Sequence, residues 1–125
     1  MTAGTGSDND AAIGADALGR PPETRYGDLV EYFASQPGVV PPGVGDGFGS
    51  SALRVNGKIF AMLVRAQLVL KLPTARVDEL FADGAGSRYD GGKGVPMKQW
   101  LMLNVDSTRS WTLLAIEALE FVRRG

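Results

Sequence analysis

Apolar and polar positions alternate most clearly between residues 48 and 72, and the pattern predicts three consecutive β-strands. Phe48 to Val55 comes first. Asn56-Gly57 follows, a pair in which both residues tolerate positive φ and which therefore favours a two-residue hairpin turn. Lys58 to Val64 pairs back, and Arg65-Ala66-Gln67 makes a second tight connection. Leu68 to Leu72 is the third strand, and Pro73, which has no N–H to donate, ends it.

Helical spacing brackets this block. A first helix is expected from Pro22-Glu23-Thr24 to just before Pro37-Gly38, with Tyr26, Leu29, Val30 and Phe33 on one stripe. Val39 to Gly47 reads as a Pro/Gly-rich loop. After Pro73, Thr74 is the expected N-cap of a short helix that buries Val77, Leu80 and Phe81 and stops at Gly84. The glycine-rich passage from Gly84 to Gly94 leaves room for a short strand around Ser87-Arg88-Tyr89-Asp90. Met97 to Val105 is a further β segment, in which Trp100 and Met102 face one way and Leu101 and Leu103 the other. Asp106 or Ser107 is expected to cap a last helix running through Trp111 to about Arg123, with Trp111, Leu114, Ala115, Ala118, Phe121 and Val122 inward. The order is α-β-β-β-α-β-β-α. It predicts an α+β fold, a two-layer arrangement of an antiparallel sheet with flanking helices.

Composition sets the boundaries. Residues 1–22 hold almost no large apolar side chains and are expected to be a disordered tail, leaving residues 23–125 as a single domain. Histidine and cysteine are both absent. That removes the imidazole base, the thiolate nucleophile, the disulfide and the usual zinc ligand sets, so no cofactor or metal is expected. The N-terminus lacks an apolar signal core and no run of eighteen apolar residues exists, which points to a cytoplasmic protein without membrane contact. Charge is unevenly spread. Residues 1–51 carry two basic against seven acidic side chains, and residues 52–125 carry eleven against seven.

Two sets of residues are candidates for contact. Lys58, Arg65, Lys71, Lys93 and Lys98 lie on or beside predicted strands and could touch phosphate oxygens. The favoured reading is a set of solvated charges that protect strand edges, since no Arg cluster or aromatic stacking platform accompanies these lysines. Phe60 and Met62, with Trp100 and Met102, belong to strands that are apolar on both faces, and helices on one side cover only half of such a surface. Leu113 and Ile116 add apolar positions on the polar side of the last helix. Together these six residues predict an interaction surface, for a protein partner or for self-association. Gly91-Gly92-Lys93-Gly94 fails the phosphate-loop spacing, because Ser87 stands where the first glycine belongs and Gly94 where Ser or Thr should follow the lysine. No carboxylate pair suggests acid–base catalysis.

Phe48-Gly49, Asn56-Gly57-Lys58, Phe60-Ala61, Leu70-Lys71 and Met97-Lys98-Gln99-Trp100, taken in this order, resemble the TfoX N-terminal domain-like family, with the MmcQ/YjbR-like proteins as neighbours. The resemblance covers roughly residues 24–124. It implies a secretion-chaperone-like two-layer α/β fold and a transcription-linked role. Gly47 stands where the family usually has Met before Phe-Gly, and the second, helical domain of the full-length competence regulators is not among these residues. The expected function is a non-enzymatic regulatory or protein-interaction module. Direct nucleic-acid binding through a mildly basic sheet face is the alternative, and a small-ligand or enzymatic site at Gly84–Gly94 is the second.

Overall fold

The structure, a computed structural model, describes residues 20–42, 51–91, 94 and 96–125. These form helix α1 (Pro22–Ala34), strands β1 (Val39–Val40), β2 (Leu53–Val55), β3 (Lys58–Val64) and β4 (Gln67–Lys71), helix α2 (Thr74–Ala82), strands β5 (Gly86–Arg88) and β6 (Trp100–Leu103), and helix α3 (Trp111–Arg124). The strands make one antiparallel sheet in the order β1-β2-β3-β4-β6-β5. The α+β class is as expected, with one strand more. Val39–Val40 lies within the segment expected to be a loop, and two residues are too short a run to show alternation. The expected tail lies outside the described residues as far as residue 19, and so do Phe48 to Ser50 of the expected first strand.

Both hairpins close on positive φ. Asn56 and Gly57 adopt +54° and +77°, and Arg65 and Ala66 adopt +48° and +68°. The second turn does the same work without glycine, so its two side chains carry the left-handed strain themselves.

The helices share one side of the sheet. Leu29 and Phe33 of α1, Val77 and Leu80 of α2, and Leu114 and Ala118 of α3 join Leu53, Leu68, Leu70, Leu101 and Leu103 in the main core. Opposite, a smaller cluster gathers Ala52, Met62, Val69, Tyr89 and Met102, with Ile59, Val64 and Trp100 packed against it and no helix residue among those described.

A bulge overturns one expected facing. Strict alternation puts Phe60 and Met62 on the same side of β3. Leu53 pairs with Ala61 but Arg54 pairs with Ile59, so β3 has one residue more than β2 at this step. Ile59 therefore belongs to the smaller cluster, whereas Phe60 turns into the main core beside Ala61. There it is 0 % exposed and meets Phe33 edge to face, with ring centroids 5.4 Å apart. Phe60 is thus a core residue and not part of an interaction surface.

Helix ends also differ from expectation. Pro73, not Thr74, is the N-cap of α2, and its carbonyl accepts from the amides of Arg76 and Val77. Ser110, not Asp106 or Ser107, caps α3, with its Oγ accepting from the Leu113 amide at 3.2 Å. The segment before it is occupied by local turns, in which Ser107 bonds Asn104 and Arg109. Phe81 is 47 % exposed rather than buried, and the Arg88 guanidinium lies over its ring at 4.4 Å. Phe121 is only partly buried, while Leu119 of the same helix is buried.

Candidate functional site

Trp100 opens β6, and its backbone is fixed from both sides. Lys71, the last residue of β4, stands directly opposite it, and the Trp100 carbonyl accepts from the Tyr89 amide at 2.9 Å. One step further out, Leu72 donates to the Gln99 carbonyl at 2.9 Å, and Met97 donates to the Tyr89 carbonyl at 3.0 Å. The turn carrying Met97, Lys98 and Gln99 is thereby tied to both neighbouring segments. A half-buried indole ends up at the rim of the sheet, with the Lys71 ammonium over its ring at 5.2 Å.

Two adjoining concavities share Lys71, Gln99 and Trp100. One, of about 430 Å³, runs under the end of α3 and adds Lys58, Ile59, Phe121, Val122 and Gly125. The other, of about 480 Å³, adds Thr74, Met97 and Lys98. Among the described residues that line them, three are lysines and none is Asp or Glu. The Lys58 ammonium donates to the Gly125 main-chain oxygen at 3.2 Å, which leaves two of its three donors for a ligand. The site is therefore a cationic rim over an aromatic and aliphatic floor.

The expected basic strip divides. Lys58, Lys71 and Lys98 come together around Trp100. Arg65 sits in the turn at the other end of seven-residue β3, about 23 Å from Lys58 at the usual rise per strand residue. Lys93 lies outside the described residues.

The expected apolar surface divides as well. Met62 and Met102 are buried in the smaller cluster, and Trp100 flanks it. Leu113 is 56 % exposed on α3, and Ile116 packs against the main core. Gln99, Ile59, Phe121 and Val122 were not signalled as site residues. Their meeting depends on the β4–β6 pairing and on where α3 ends, and neither leaves a mark in local spacing.

Near Gly84 there is a third concavity, of about 350 Å³, bordered by Asp83, Asp106, Ser107 and Arg109. Arg109 is ion-paired with Asp83 across it. Two of its three charged side chains are thus already engaged with each other. Among the described residues no group of three His, Cys, Asp or Glu is placed to hold a metal ion, and no helix is long and apolar enough to cross a membrane.

No family model, curated protein or solved structure matches this chain.

Proposed function

We propose that this protein is a non-enzymatic regulatory module that works by binding, and that the lysine-rimmed groove at Trp100 receives an anionic partner. One observation carries the reading. Three lysines converge on an aromatic floor whose described lining holds no carboxylate side chain. Lys58 already donates to the Gly125 oxygen, but Lys71 and Lys98 face no acidic side chain in the lining. Cations beside low-dielectric walls attract negative groups more strongly than scattered surface charges do. The resemblance to the TfoX N-terminal domain-like family supports the same direction, since Lys58, Lys71, Lys98 and Trp100 all fall within its motifs and the family name carries a transcription-linked role.

The test is a titration with polyphosphate and with a single-stranded oligonucleotide, followed through the indole N–H resonance of Trp100. Binding at about 50 mM salt is expected, with a log–log salt slope near −2 for three contacts to a single strand. Replacing Lys58, Lys71 and Lys98 by Gln together is expected to abolish it. Absence of binding at that salt by polyphosphate, by the oligonucleotide and by a small organic anion alike rejects the reading.

A second reading rests on Leu113, exposed on α3 between the polar positions of that helix. A protein partner or a second copy of the chain would cover it. Sedimentation of the wild type and Leu113→Glu distinguishes this surface from the groove.

A further inference from the structure

Of the two lobes that meet at Trp100, the one under α3 has the character of a small-molecule site, and this inference rests on the groove being the working surface. Four elements converge on it. Lys58 and Ile59 come from the start of β3, Lys71 from the end of β4, Trp100 from the start of β6, and Phe121 and Val122 from the last turns of α3. Its volume of about 430 Å³ lies within the usual range for ligand pockets.

We infer that this lobe binds a small amphipathic anion, a single carboxylate, sulfonate or phosphate carried on a compact aromatic or branched apolar body. The head belongs between Lys58 and Lys71, where charge-assisted hydrogen bonds are available. Because the Lys71 ammonium is already over the indole, a head bound to it is held above Trp100. The body then faces Ile59, Phe121 and Val122. Neither half suffices alone. A bare phosphate would leave the apolar wall in water, and a neutral ring would leave the Lys71 ammonium without a counter-charge and Lys58 with only its bond to the Gly125 oxygen. A nucleic-acid strand fits this lobe poorly, since a phosphate track needs cations spaced along it and Arg65 lies at the far end of β3.

Naphthalenesulfonate is a suitable probe, titrated into the full chain by calorimetry and by Trp fluorescence. One-to-one binding is expected. The neutral sulfonamide analogue and inorganic phosphate should each bind at least tenfold more weakly. Lys71→Gln should lower affinity at least tenfold, and Lys71→Arg should restore most of it. Equal affinity for sulfonate and sulfonamide, or affinity unchanged in the Lys58→Gln/Lys71→Gln variant, overturns the inference. If the oligonucleotide or polyphosphate binds in a lysine-dependent way and naphthalenesulfonate does not, the ligand class is wrong and the groove stands. If none of them binds, both fall.

Discussion

The guanidinium carbon of Arg25 lies over the ring of Trp111, 3.7 Å from its centroid, and both residues are buried. The contact joins α1 to the first turn of α3. A desolvated cation–π pair is worth about 2 kcal/mol, and the indole adds its own burial. Trp111→Ala is expected to cost about 3–5 kcal/mol in urea denaturation. Trp111→Phe should cost clearly less, because a phenyl ring keeps a face for the guanidinium. A double-mutant cycle with Arg25→Leu isolates the cation, and a coupling energy near zero would show that it contributes nothing.

Gly86 has a different constraint. A Cβ there would come within 2.4 Å of the Met102 carbonyl oxygen, and backbone cannot swing aside. Gly86→Ala is expected to push β5 away from β6 and to destabilise the fold by about 1–3 kcal/mol, as overpacking does. Hydrogen exchange reads this directly. The amides of the β5–β6 ladder should lose protection before those of β3 and β4.

Ala66 holds φ at +68° in the turn between β3 and β4. A left-handed conformation costs a non-glycine residue about 1 kcal/mol. Ala66→Gly removes that strain but frees the unfolded chain, so a net gain of about 0.5 kcal/mol is expected. The thermal midpoint should rise. A fall would mean that the methyl group packs more usefully than its partial exposure suggests.

Tyr26 gives the fold an alkaline limit. Its hydroxyl donates to the Ser51 carbonyl and faces the Ala61 carbonyl at 3.4 Å. Burial pushes its pKa well above the ordinary phenol range. The folded value is the raised one, so the associated stability is fully present below the unfolded value of about 10 and is lost as pH rises beyond it. The loss approaches about 1.4 kcal/mol per pH unit. Tyr26→Phe should be about 1 kcal/mol less stable at neutral pH through the lost hydrogen bond, and its stability should fall less steeply above about pH 10. Parallel slopes for the two proteins between about pH 9 and pH 11 would exclude this assignment.

Features written locally in the chain were legible without the structure. Asn56-Gly57 declared the first hairpin, Pro73 and Gly84 bounded α2, and the stripe from Tyr26 to Phe33 marked α1. Phe60 was not legible. A bulge inserts one residue without changing composition, so alternation read through it gives the wrong face. The groove was half legible. Its lysines stood out as charges, yet no aromatic platform was expected beside them. Lys71 meets Trp100 only because β4 pairs with β6 across the intervening α2 and β5, a contact set by topology rather than spacing.

The outermost strands, β1 with two residues and β5 with three, offer almost no free ladder to an incoming chain. On β5, Arg88 stacks on Phe81 and bonds Asp78 at 2.6 Å, which adds charge to that rim. A sheet this apolar at its centre therefore resists edge-to-edge accretion and fibril growth, because its margins are too brief and too polar to template another strand.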